Sequence, residues 1–282
     1  MISEIRSESF RLRARSLGAE LTSFCDLRGG EYEYIWQNRE IWNGQSPLLF
    51  PIVGRLKGDR YRLNGREYSL NKHGFARRSE FMLEAQGETE MTFLLTDSVQ
   101  TLERYPFPFE LRVHYALTAD GFVMETRVRN TGAETMWFSL GAHPGFQCEM
   151  GDQIVMDAEE TTSAFLLGEN GLRAPEQIPV FDHSRQLVLA PDTFARDALI
   201  FDGLKSRGAT LVRRNGRNVH VDFGGAPCLG LWAKPGAEYV CIEPWYGVDD
   251  RWDADGDFTR KERIQSLEPG AEFAFPVTVK VG

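Results

Sequence analysis

Between Phe109 and Leu117 the chain places Phe109, Leu111, Val113, Tyr115 and Leu117 on one side, and Glu110, Arg112 and His114 on the other. A period of two belongs to a strand with one buried and one wet face, and a helix cannot satisfy it. Turn chemistry divides such runs from one another. Asp120-Gly121 leads into residues 122–129, Asn64-Gly65 joins 61–63 to 66–70, and Asn215-Gly216 joins 210–213 to 217–223. Each dipeptide tolerates the positive φ angles of a tight hairpin, so three hairpins are expected. Further strands are expected at 10–16, 20–26, 81–86, 90–96, 135–140, 153–157, 199–201, 229–233, 239–242 and 272–280. Helical periodicity is confined to 99–105 and 192–197, too little for the crossovers of a parallel sheet. No Ser/Gly/Pro-rich linker and no repeat of fixed period divides the chain. The expected fold is all-β, a large antiparallel β-sandwich with very little helix, built as one domain over residues 1–282.

A chain of 282 residues with 42% apolar content can bury a large core without covalent staples. Forty-one Asp+Glu against 32 Lys+Arg leave a net charge of −9, with no basic run to neutralise a phosphate backbone, so no nucleic-acid partner is expected. Cys25, Cys148, Cys228 and Cys241 stand far apart, outside any C-x-x-C pair, and read as reduced thiols. Residues 1–10 mix Glu4, Arg6 and Glu8 among apolar positions, and no apolar run approaches the roughly 18 residues of a membrane span. No membrane association is expected, and the cytoplasm is the expected location.

His114 and His220 fall on the polar sides of alternating strands, and His183 lies in the turn-like Phe181-Asp182-His183-Ser184, so these three read as solvated. His73, in Asn71-Lys72-His73-Gly74-Phe75-Ala76-Arg77, and His143, in Leu140-Gly141-Ala142-His143-Pro144-Gly145-Phe146, differ. Each ends an apolar strand and precedes Gly or Pro, where rigid scaffolds present functional side chains. Continuing the Asn64-Gly65 ladder in register sets Leu56 opposite His73 and Arg55 beside it. The strand Tyr239-Val240-Cys241-Ile242 then delivers Glu243-Pro244-Trp245-Tyr246. Proline holds the preceding carboxylate extended, and the neighbouring aromatics suit the C–H faces of a sugar ring. Taken alone, Glu243 reads equally well as an exposed rim residue.

The ordered motifs from Pro47 to Arg55, His73-Gly74-Phe75-Ala76-Arg77, Gly141-Ala142-His143-Pro144 and Cys241-Ile242-Glu243-Pro244-Trp245 resemble the aldose 1-epimerase (galactose mutarotase) family, above all its bacterial branch of lactose-operon mutarotase-like proteins. The resemblance runs from about Gly18 to the C-terminus. It implies a mutarotase-type supersandwich with a cofactor-free, metal-free site that takes a small-molecule sugar. Carried over by motif, Glu243 matches the catalytic base and His143 the acid, Arg55 and His73 match ligands of the sugar oxygens, and Trp245 lies beside them. The family's binding aspartate fits Asp197, ahead of Ala198-Leu199-Ile200-Phe201, with Asp202 in reserve. Pro144 directly after His143, and the run ending in Arg77, look more like the hexose-6-phosphate mutarotases, which makes a phosphorylated sugar a second expectation.

Interconverting anomers needs a base at the C1 hydroxyl and an acid at the ring oxygen. A Glu anion and a histidine protonated beside it meet that need, with Arg55 steadying oxygen charge. Three other readings use the same residues: a non-catalytic sugar-binding protein, a glycosidase with Glu243 and Asp197 as paired carboxylates, and a His73-His143-Glu243 metal site. Arg77, with Lys72, Arg78 and Arg55, forms a cationic cluster suited to phosphate, unless Arg77 pairs with Glu80. The acidic stretch 249–257 lacks the EF-hand's glycine and glutamate positions and reads as a solvated loop. Trp42 and Trp232 fit the cleft or the core equally well.

Overall fold

The structure, a computed structural model, describes residues 1–168 and 170–282. Among these described residues fifteen strands join in one sheet, every pairing antiparallel. From Leu48–Leu49 at one edge it passes through Leu140–Ala142, Tyr239–Tyr246, Cys228–Trp232, Leu199–Asp202 and Gln153–Leu167 to Gly208–Val212. It then continues through Val219–Asp222, Glu272–Val281, Gly121–Asn130, Phe109–Leu117 and Glu90–Thr96 to Met82–Gln86. A four-stranded sheet from Ile2–Arg6 to Tyr32–Glu33 covers the alternating face of Phe109–Leu117. Phe24 meets Phe122 edge-on at 4.8 Å, and the Tyr115 hydroxyl donates to the Ala19 carbonyl at 2.8 Å. Phe109, Leu111, Val113 and Tyr115 are all fully buried, as the period of two requires.

The Asn64-Gly65 hairpin forms as expected, with φ of 50° and 78° and Leu63 facing Arg66. In the Asp120-Gly121 hairpin the turn lies one residue earlier, because Thr118 N–H bonds the Gly121 carbonyl and closes the turn around Ala119-Asp120. Gly121 serves instead to admit the neighbouring strand, where a Cβ would lie 1.9 Å from the Val279 oxygen. Around Asn215-Gly216 the hairpin forms with a longer loop, since the last paired residues are Leu211 and Val219.

The main departure is a long ribbon. Gln153–Leu167 and Arg173–Val188 pair over most of their lengths, whereas local alternation predicts strand only for 153–157. Pro175 and Pro179 and repeated register shifts break the alternation there, and the expected turn at His183 is a strand position with φ 47°. Residues 192–197 form turns, and 99–105 holds one helical turn, Val99–Leu102. All four cysteines are free and buried. Among the described residues no helix is long and apolar enough to cross a membrane.

Candidate active site

Strand register assembles the site. Leu140 faces Tyr246 and Gly141 faces Trp245; after a short break Gly145 faces Cys241 in the same register. Ile242 N–H donates to the Pro144 carbonyl at 3.3 Å, so His143 lies across from Glu243. Positions 241, 243 and 245 share one face with 141, 143 and 145, because side chains two apart on a strand point the same way. The flanking glycines make that face usable. A Cβ at Gly141 would lie 2.6 Å from Trp245, one at Gly145 would lie 2.7 Å from Trp42, and one at Gly230, opposite Glu243 on the other side, would lie 2.5 Å from Trp245. His143 Nε2 and Glu243 Oε2 therefore stand 3.2 Å apart on the floor of a cleft of about 460 Å³, with Glu243 only 1% exposed.

Aromatic rings form part of the wall. Trp42 stacks on His143 (5.2 Å, 27°) and on Tyr239 (5.1 Å, 10°), and Trp232 meets both Trp42 and His143 edge-on. Trp42 and Trp232 thus belong to the cleft. Trp245 lines the floor; its indole N–H favours the Glu243 carboxylate while falling short of a hydrogen bond of ordinary geometry. A larger groove of about 940 Å³, reached by Asn71, Gly74 and Arg78, lacks this convergence of buried titratable groups.

His73 holds a left-handed backbone, φ 65°, with Gly74 at 68°. Its N–H donates to the Gly54 carbonyl at 2.8 Å, and Gly54 N–H donates to its Nδ1 at 3.1 Å. With Nδ1 accepting, the neutral ring carries its proton on Nε2. Gly74 is required sterically, because a Cβ there would lie 2.3 Å from the Phe50 carbonyl oxygen.

Arg55 does not reach the cleft. The Arg60–Leu63 and Arg66–Ser69 ladder ends at Arg60 and Ser69, and a 3-10 turn at Lys57–Asp59 takes up two residues, so His73 meets Gly54 rather than Leu56. The Arg55 guanidinium turns out to Asp59 (2.9 Å) and the Asn170 carbonyl (3.1 Å). Its main-chain N–H alone serves the wall, donating to Asp249 at 2.7 Å. Lys72 lines the cleft instead, together with Arg77 and Lys234, while Arg78 faces the larger groove. Arg77 donates to the Lys72 carbonyl at 3.0 Å and, among the described residues, has no carboxylate partner; Glu80 accepts from the Ser16 hydroxyl. Asp197 lies at the cleft, its carboxylate accepting from Ala198 N–H, whereas Asp202 is held by Arg263 at 2.6 Å.

Asp249 and Asp250 correct the reading of 249–257 as a solvated loop, since both are buried. Asp249 lines the cleft in the space that a Gly54 side chain would fill, and Asp250 pairs with buried Lys261 at 2.8 Å. Two acidic residues beside a Trp and an Arg carry no local mark of burial. The distant Gly54 makes room for Asp249, and Lys261 holds Asp250.

Protonation differs from the simple expectation of an anion beside an imidazolium. Burial pushes His143 down to about 3 and holds His73 well below the usual imidazole range. Burial also pushes Glu243 well above the usual carboxylate range, against the pull of Lys72, whose charge favours the carboxylate. Over a wide pH span the Glu243–His143 pair thus carries a single proton, and Lys72 favours ionised Glu243 while opposing a second cation at His143. Among the described residues, His143, Cys241 and Glu243 are the one group of three ligating side chains with atoms within 4.8 Å of one another; His73 does not belong to it.

A fifteen-stranded antiparallel sheet whose face carries a buried Glu–His pair under aromatic walls is the architecture of a mutarotase-type isomerase, and the chain belongs to the aldose 1-epimerase family, whose model matches residues 2–261. The chromosomal protein LacX of Lactococcus lactis subsp. lactis is 33% identical over 287 residues, covering 95% of each chain. A galactose mutarotase related enzyme from Lactobacillus acidophilus superposes with a TM-score of 0.94 at 34% identity, covering 100% of this chain and 97% of its own. A galactose mutarotase-like protein from Lactobacillus casei gives 0.94 at 25% identity, with both chains fully covered.

Proposed function

We propose that the protein interconverts the α and β anomers of an aldohexose or a related aldose, with Glu243 as base and His143 as acid. The 3.2 Å contact between these two groups, buried on the floor of an open cleft, carries this reading. With the single proton of the pair moved onto His143, ionised Glu243 takes the proton of the C1 hydroxyl while His143 delivers its own to the ring oxygen, and the bond from C1 to the ring oxygen breaks to leave an aldehyde and a free hydroxyl. Rotation about C1–C2 and the reverse steps return both protons, so the pair ends as it began. His73, with Nε2 as its free donor, binds a sugar oxygen, Asp197 accepts from hydroxyls, and Trp42 and Trp232 take the apolar faces of the ring. Lys72 takes the electrostatic role expected of Arg55, because it is the cation that favours ionised Glu243. The four free cysteines support the cytoplasm as its location.

NMR exchange or polarimetry on a panel of free and phosphorylated aldoses tests this directly. Anomer exchange above the buffer rate is expected for at least one; no acceleration for any would favour a sugar-binding protein. A phosphorylated aldose is the second reading, favoured by Arg77 and Lys72, which line the cleft and have no carboxylate partner among the described residues.

A further inference from the structure

We infer that Cys241, Glu243 and His143 form a binding site for a thiophilic divalent cation of the zinc class, and that the bound cation occupies the pair on which turnover depends. Cys241 and Glu243 stand two apart on one strand, a spacing that presents two ligands side by side on one face. His143 approaches from the neighbouring strand in register with Glu243. The three ligating atoms lie within 4.8 Å of one another, and the His143 Nε2 to Glu243 Oε2 separation is 3.2 Å. Zinc bonds of about 2.0–2.3 Å in a tetrahedron set neighbouring ligands roughly 3.3–3.7 Å apart. One pair thus already has that spacing, and the others reach it by closing on the order of 1 Å.

Two further observations point to a ligand. Glu243 Oε2 is buried and, although His143 Nε2 stands 3.2 Å away, makes no hydrogen bond of ordinary geometry, which is costly for an acceptor unless something else occupies it. Gly145, directly across from Cys241, sets no side chain of its own against the thiol; a Cβ there would lie 3.5 Å from Sγ and 2.7 Å from the Trp42 ring, which covers this part of the face. The proposed reaction gives Cys241 no task. Thiolate, imidazole and carboxylate together select zinc-like ions over magnesium or calcium, which take oxygen ligands. Thiolate and carboxylate offset the two positive charges, and the remaining position opens toward the cleft for water or a sugar hydroxyl. Binding releases the Cys241 thiol proton and the proton shared by Glu243 and His143 to solvent.

Cobalt(II) provides the test, because a thiolate ligand gives a cobalt charge-transfer band in the near ultraviolet and tetrahedral coordination gives intense visible bands. Wild-type protein titrated with Co²⁺ should develop both, Zn²⁺ should displace them, and Mg²⁺ should not. Cys241→Ser and Cys241→Ala should lose the charge-transfer band and bind Zn²⁺ on the order of a hundredfold more weakly, while Cys148→Ser keeps both. Absence of the thiolate band in wild-type protein would overturn the site, as would a Cys241 variant that binds Zn²⁺ as tightly as wild type. Inhibition by Zn²⁺, relieved in Cys241→Ser, is the consequence that rests on the mutarotase reading. The spectra do not depend on turnover, so failure of the metal site and failure of the proposed reaction are separately visible.

Discussion

Replacing Glu243 by Gln keeps the length and shape of the side chain while removing its ionisation, and two independent quantities should respond. Loss of a positioned base costs about 10²-fold or more in turnover, roughly 2.7 kcal/mol in barrier, while sugar affinity changes little because the amide still bonds hydroxyls. Stability should respond in the opposite sense. Burial raises the folded-state pKa of Glu243 well above its ordinary value, so above that ordinary value the unfolded chain has lost a proton that the folded chain keeps. The contribution of Glu243 to wild-type stability therefore falls as pH rises through this window, by about 1.4 kcal/mol per pH unit for one proton, until the folded group itself ionises, while the depressed His143 and His73 contribute with the opposite sign. Glutamine has no such penalty. For 282 residues the unfolding entropy is roughly 0.6 kcal/mol/K, so the melting-temperature advantage of Glu243→Gln should widen by about 2 °C per pH unit. Thermal melts of both proteins across the mildly acidic to neutral range, beside anomer exchange rates, supply the measurement. An advantage independent of pH would refute the buried-acid argument, and a variant turning over within a few-fold of wild type would remove Glu243 from the base role.

His143→Asn should lower turnover by about 10²-fold or more at nearly constant sugar affinity, whereas His73→Asn should chiefly weaken binding; steady-state kinetics with the best sugar of the panel separates the two. The pH profile of kcat/KM should stay flat through the range in which an exposed glutamate titrates, with an acid limb toward about 3, where His143 takes up a second proton, and an alkaline limb set by the raised Glu243. A limb near the ordinary carboxylate value would contradict a pair sharing one proton. If phosphorylated aldoses are substrates, Arg77→Ala should raise their KM and leave free-sugar kinetics alone; equal effects on glucose and glucose 6-phosphate would exclude phosphate recognition by Arg77.

Local alternation makes most of the sheet legible in the sequence, because residues such as Phe109, Leu111, Val113 and Tyr115 report their burial in their own spacing. The same rule hides the Gln153–Leu167 and Arg173–Val188 ribbon. Its half-exposed faces, two prolines and register shifts leave no sustained period to read.

The motif residues His73, His143, Asp197, Trp245 and Glu243 all reach one cleft, together with Arg77. Arg55 shows where hairpin arithmetic ends. Register is a property of paired residues, and the ladder stops at Arg60 and Ser69, four residues short of His73. The 3-10 turn at Lys57–Asp59, with Gly58 and Asp59 both at positive φ, shifts the pairing by two, which carries Arg55 outward and leaves Lys72 as the cation beside Glu243. Asp249 is hidden by a different cause, since its burial depends on Gly54, nearly two hundred residues away in the sequence. What local motifs cannot convey is the role of the glycines. Gly141, Gly145 and Gly230 look like ordinary turn or strand glycines, yet each occupies a position where a single methyl group would strike Trp245 or Trp42. They bring those rings against the sheet and leave Glu243 facing both His143 and the cleft. The Glu243–His143 pair is therefore set by which side chains are absent around it as much as by the two residues themselves.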